Sequence, residues 1–147
     1  MPTVEEIRSA LTEAMKRRDP VTTTALRSVL AAISHAETSG KQKRTLSDDD
    51  IQGVIGKEVK RREEAMEAFS AAGRSDRAAA EEAERDVLAA FLPAKLSRTE
   101  IEAIVDEVLA SFDGPPAMGP AMKQVMERVK GRADGKVVSE LVKARLS

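Results

Sequence analysis

The sequence predicts an all-α protein: an N-terminal region of about four helices, followed by a three-helix bundle. Three observations carry that expectation. Apolar residues recur at three- and four-residue intervals in seven successive stretches, the period of a helix with one buried face. Between the stretches stand capping residues and Gly or Pro breaks, which start and stop helices. No strand-like alternation and no hairpin signal occur anywhere in the chain.

The elements follow in order. Thr3-Val4-Glu5-Glu6 is a capping box, and Val4, Ile7, Leu11, Ala14 and Met15 then share one helical face. Asp19-Pro20 restarts the chain, with Pro20 at a first-turn position where its missing N–H is no loss. Leu26, Val29, Leu30 and Ile33 form the stripe of this second helix, which Gly40 ends. After the basic loop "KQKRTLS", Ser47 caps a third helix whose first turn holds Asp48, Asp49 and Asp50, where the helix dipole favours negative charge. Consecutive helical residues splay around the axis, so this triplet reads as dipole compensation rather than a metal site. Ile51, Val54, Ile55, Val59, Met66 and Phe69 continue one face until Ala72-Gly73. A fourth helix starts at Ser75 or Asp76 with an alanine-rich stripe, Ala79, Ala80, Ala83, Val87, Leu88 and Phe91, expected to lie tight against the third.

Pro93 breaks the pattern, and Ser97-Arg98-Thr99-Glu100 is a second capping box with Leu96 placed to staple onto Ile101. The fifth helix buries Ile101, Ile104, Val105, Val108, Leu109 and Phe112. Beyond the loop "DGPPAMGP", a sixth helix carries Met118, Met122, Val125, Met126 and Val129 inward. Gly131 ends it, Asp134 caps the seventh, and Val137, Val138, Leu141, Val142 and Leu146 bury that one. The expected domains are residues 1–92 and 97–147.

Composition excludes several function classes. The 147 residues contain no Cys, which removes disulfides, zinc–thiolate sites and thiol nucleophiles. No apolar run approaches the roughly 20 residues of a membrane span, and the acid-bearing start is no signal peptide. The expectation is a cytoplasmic protein with no membrane association. Net charge is −1, but Lys123–Ser147 holds seven Lys/Arg against three Asp/Glu, a local +4 that points to an anionic partner.

The stretch "KGRADGKVVSELVK", together with "FLPAKLS", "AAGRSD" and the pairs Met118-Gly119 and Val125-Met126, resembles the YqeY family. The closing motif also resembles the tail domain of GatB, the tRNA-binding subunit of the glutamine-dependent tRNA amidotransferase. The resemblance implies a GatB/YqeY-type three-helix bundle behind a helical N-terminal part. It also implies tRNA as partner, held by phosphate backbone and shape, and association with amidotransferase or aminoacyl-tRNA machinery. Carried over position by position, the implied nucleic-acid contacts are Lys130, Gly131, Arg132, Gly135 and Lys136, with Lys123, Arg128 and Lys143 extending the footprint and Arg145 beside them. Arg132 and Asp134 depart from the usual GatB tail, and an acid at 134 repels phosphate unless capping occupies it. Physically, cations around a helix N-terminus make an anion site, and glycines let a phosphate backbone come close.

Nothing in the sequence assembles a catalytic centre, and no cofactor or metal is expected. His35 is the single histidine, without a Ser/His/Asp arrangement around it, and Gly53 and Gly56 lie inside a helical pattern rather than in a phosphate loop. A carbon–nitrogen ligase activity with glutamine as amide donor is implied only by the family resemblance, so whether the protein is an enzyme stays open at this point. With no Trp or Tyr, and Phe69, Phe91 and Phe112 on apolar stripes, stacking on single-stranded RNA is disfavoured. The alternative is a helical protein–protein interaction module with no RNA role, resting on Met118, Met122 and Met126 as an adaptable groove. A second basic cluster, Lys16, Arg17 and Arg18 with Lys41, Lys43 and Arg44, suits either reading.

Overall fold

A computed structural model describes residues 2–147, which form seven helices and, among the described residues, no strand. They are α1 (Val4–Lys16), α2 (Pro20–Thr38), α3 (Asp48–Ala71), α4 (Ser75–Ala89), α5 (Arg98–Ala110), α6 (Met118–Val129) and α7 (Gly135–Leu146). The fold is all-α. The chain divides into two compact units, one ending at Leu92 and one running Pro93–Ser147.

In the N-terminal unit, α1 packs on α2, and α2, α3 and α4 pack on one another. Its core is Ile7, Ala25, Leu26, Val29, Ile33, Leu46, Ile51, Ile55, Val59 and Leu88. The helix starts form as the side chains dictate. The Glu6 amide donates to Thr3 Oγ1 at 3.2 Å and the Thr3 amide to Glu6 Oε2 at 3.3 Å. Asp19 accepts from the Thr22 hydroxyl at 2.7 Å and the Thr22 amide at 3.0 Å, and these bonds hold its carboxyl below the usual carboxylate range. Ser47 and Asp50 complete a reciprocal cap on α3, and the Ser47 amide likewise lowers the Asp50 carboxyl. Leu46, in the basic loop, is buried because it precedes a cap: it sits one residue before Ser47 and staples toward Ile51.

Two expectations about this unit need correction. Met15, assigned to the inner face of α1, is 50% exposed and lies beside Arg18, Asp19, Pro20 and Thr23 at the α1–α2 turn. Ala14 takes the inward place on that turn of α1 and is fully buried, which leaves Met15 on the flank, and Arg18 in a left-handed conformation (φ 57°) then turns the chain into α2. In α4, Ala79 and Ala80 are exposed and only Leu88 is fully buried. The face turned to α3 carries charge instead. Glu84 approaches Arg62 (3.9 Å), and Arg85 approaches Glu63 (3.7 Å).

That polar seam centres on two residues of α3. Arg62 donates to Glu58 Oε2 at 2.8 Å with both side chains under 10% exposed. Arg61 reaches the same oxygen at 2.9 Å from the surface, and Ser28 of α2 donates to it at 3.4 Å. Glu58 thus ties α3 to α2, and Arg62 ties α3 to α4.

The C-terminal unit is a three-helix bundle in which α5, α6 and α7 all touch one another. Its core is Ile101, Val105, Val108, Ala121, Val125, Val129, Val138, Leu141 and Val142, closed by half-buried Leu96, Phe112, Met118, Met122 and Met126. The three methionines are therefore packed against the core rather than lining an open groove. Ser97 and Glu100 cap α5 reciprocally, at 3.0 and 3.1 Å.

Candidate nucleic-acid interface

The segment Lys130–Lys136 is a tight turn joining α6 to α7. Gly131 takes φ +71°, a conformation that costs an L side chain energy, so the glycine is needed to reverse the chain there. Gly135 differs. It is the first residue of α7, and a Cβ placed on it would sit in ordinary contact with the end of the Met126 side chain, 3.8 Å away, so neither space nor backbone conformation requires glycine there.

Asp134 is the cap of α7, with Oδ1 accepting from the Lys136 amide at 2.9 Å. The carboxylate stands where an incoming anion would sit and brings its own negative charge. The cap therefore occupies the Lys136 amide at the helix entrance.

The arginines are also engaged. Arg132 turns back, its Nε donating to the Ala94 carbonyl at 3.0 Å, while its own carbonyl accepts from the Leu96 amide at 2.8 Å. The turn is thus strapped to the segment that leads into α5. Arg128 pairs with Glu107 at 2.6 Å and Arg145 with Asp106 at 2.8 Å, both across to α5. Arg145 also comes within 4.0 Å of Glu102, and the hydrogen bond it donates to Asp106 raises its pKa further. Sequence reasoning missed this acidic side of α5, although Glu102 and Asp106 stand at the i, i+4 spacing that marks a single helical face.

The lysines divide between the two helices. Lys123 of α6 and Lys130 at its C-terminal cap are seven residues apart, as are Lys136 and Lys143 of α7, so each pair falls on one line along its helix within about 20°. All four are exposed. Of the eight predicted positions, the structure places Lys123 and Lys130 on one line of α6 and Lys136 and Lys143 on one line of α7, gives Gly131 to the turn and Gly135 to the start of α7, and turns Arg128 and Arg132 to partners within the unit. A groove of about 500 Å³ lies on the α5–α6 side, rimmed by Glu107, Pro120, Lys123, Gln124 and Arg128 among others. Its walls carry both signs of charge and no convergent set of acid and base.

Elsewhere the candidates separate. Lys16, Arg17 and Arg18 lie just before α2, whereas Lys41, Lys43 and Arg44 lie beyond its end. The 19 residues of α2 hold the two groups about 28 Å apart, so they form no single patch. His35 is exposed in the last turn of α2. Among the described residues, no group of three His, Asp or Glu side chains could hold a metal ion, and no helix is long and apolar enough to cross a membrane.

Residues 4–146 match the family described as Yqey-like protein. The chain belongs to the YqeY-like family. Among curated proteins, this YqeY-like chain is 28% identical over 141 residues to altered inheritance of mitochondria protein 41, mitochondrial, of Pyrenophora tritici-repentis, covering 92% of this chain and 76% of that one. It is 40% identical over 58 residues to a glutamyl-tRNA(Gln) amidotransferase subunit of Aeropyrum pernix, and 42% identical over 57 residues to the counterpart from Thermococcus gammatolerans. Each of these two matches covers 35% of this chain and only 9% of the much longer amidotransferase protein. An uncharacterized protein of Schizosaccharomyces pombe is 37% identical over 87 residues, covering 59% of this chain and 69% of that protein.

Proposed function

We propose that this protein is a tRNA-binding accessory of the amidotransferase type, which presents a folded RNA and leaves the transfer of the amide nitrogen to a partner. The observation that carries the reading is the 40% identity to a short stretch of the Aeropyrum pernix glutamyl-tRNA(Gln) amidotransferase protein. The match takes in 9% of that protein, a share too small to bring a whole amidotransferase with it. The excess of cations in Lys123–Ser147 supports a polyanion as the ligand. The half-buried phenylalanines leave no aromatic platform for splayed bases, which supports recognition of a folded RNA by backbone and shape.

The test is fluorescence anisotropy of labelled unfractionated tRNA against the purified protein at low and moderate salt. Binding is expected at about 50 mM salt and should fall by orders of magnitude by about 200 mM, because released counterions drive phosphate contacts. Equal, negligible anisotropy change at both salt concentrations would refute the proposal. Recovery of a stoichiometric protein partner and no RNA from cells would instead favour the interaction-module alternative.

A further inference from the structure

We infer that the corner between α1 and α2 is a docking site for an acidic segment of a partner protein, which sets an apolar side chain against Met15 while its carboxylates meet Arg18 and Arg27. The corner lies in the N-terminal unit and stands or falls apart from RNA binding.

The apolar half of the site is exposed. Among the described residues, Met15 at 50% and Val21 at 39% are the large hydrophobic side chains left in solvent, and both belong to this corner. A hollow of about 400 Å³ opens beside Met15, walled by Arg18, Asp19, Pro20 and Thr23. The thioether is soft and unbranched, so it moulds to apolar side chains of different shape.

The charged half emerges by subtraction. Four cations stand at the corner, and two of them have partners: Lys16 pairs with Glu13 and Arg17 with Asp19, each at 3.6 Å. Asp19, the acid in the wall, also accepts from the Thr22 hydroxyl and amide as the cap of α2, so its charge is engaged. Arg18 and Arg27 are exposed, and among the described residues neither meets a carboxylate. Arg27 lies against Met15 instead, with Nη2 3.9 Å from the sulfur. That contact sets an uncompensated cation at the apolar wall.

The backbone adds an independent sign. The Asp19 amide donates to the Ala14 carbonyl at 2.9 Å and the Arg18 amide to the Met15 carbonyl at 3.1 Å, the Schellman close of a helix. Such a close puts its left-handed residue at position 18, where φ is 57° and glycine is the usual occupant. An arginine there works against its own backbone preference, which points to a use for its guanidinium.

The combination selects the occupant. A phosphate backbone would satisfy the guanidinium groups but leave Met15 wet, and no aromatic ring lines the hollow to stack a base. A carboxylate-rich segment with an apolar anchor answers both halves: carboxylates match the planar fork of arginine, and the anchor removes Met15 from water.

The experiment selects random displayed peptides on the immobilised full chain, then reads the affinity of the labelled winning peptide by anisotropy. Selection should enrich peptides that combine several Asp or Glu with Leu, Met or Phe. R18G removes the guanidinium and relieves the backbone, so its urea midpoint should equal or exceed that of wild type while peptide affinity falls about tenfold or more. R27Q and M15Q should also weaken binding, and K41Q/K43Q, beyond the far end of α2, should bind like wild type. No enrichment, enrichment of neutral or basic peptides, or unchanged affinity in R18G would overturn the inference. Should R18G lower the midpoint, the arginine serves the turn, and unchanged affinity in R27Q and M15Q then overturns the site. Loss of tRNA binding in R18G and R27Q would give the corner to RNA, and self-association abolished by M15Q would give it to a second copy. Either result overturns the acidic partner.

Discussion

Gly53 sits in the second turn of α3, exposed, with nothing within 4 Å of where a Cβ would be. Helical backbone suits alanine better than glycine because glycine loses more conformational freedom on folding. Gly53→Ala is therefore expected to raise stability by about 1 kcal/mol, read as a higher urea midpoint at unchanged slope. A lower midpoint would overturn the reading of Gly53 as an open helical position. Gly131 is the contrasting case. Its φ of +71° makes the same substitution strained, because an L side chain clashes with its own backbone in that region. A glycine inside an unbroken apolar pattern and one that ends such a pattern can be told apart by position, but the packing of Gly135 on Met126 depends on which helix lies opposite, and only the fold supplies that.

At the scale of elements, the α3–α4 hairpin is held by a seam that is partly ionic. Glu58 and Arg62 are both below 10% exposed, and Arg62 Nε has no hydrogen-bond partner. Buried pairs cost desolvation, and removing one member strands the other charge. Glu58→Ala is expected to destabilise the protein by about 3 kcal/mol, because the only carboxylate left near the Arg62 guanidinium is Glu84 at 3.9 Å, beside its bond to the residue 58 backbone carbonyl at 3.3 Å. The double variant E58L/R62M should be less damaged than the single one, since both charges are then gone and the volume is kept. Urea unfolding of the two variants checks this. A double variant damaged as much as Glu58→Ala would mean that a stranded Arg62 charge is not the source of the loss. Sequence reasoning placed an alanine stripe at this seam because it weighted hydrophobicity alone. The stripe it chose put the exposed Ala79 and Ala80 inside and overlooked Glu84 and Arg85, whose acceptability inside depends on Arg62 and Glu63 waiting across the seam.

For the whole molecule, each unit has a core of its own: the N-terminal cluster draws on α1 to α4 and the C-terminal cluster on α5 to α7. A segment comprising 93–147 alone is expected to remain helical and to melt cooperatively, though with a low midpoint because so short a chain buries a small core. A non-cooperative melt by circular dichroism would show that its core does not suffice. The helices themselves were legible from caps and periodicity. Reciprocal caps at Thr3 and Ser97, and the Asp19-Pro20 restart, are local chemistry, decided by residues three apart.

The sequence alone determined where helices begin and end and most of what each one buries, since hydrogen bonds at caps and the 3.6-residue period act within a few residues of chain. It also located the cationic segment. Tertiary structure decided what each cation does. Arg128 and Arg145 turn to carboxylates of α5, Arg132 to the carbonyl of Ala94, and the four lysines fall into line along two helices. Those assignments depend on which helix packs beside which, and charges brought together from 20 to 40 residues apart follow from packing rather than from local sequence.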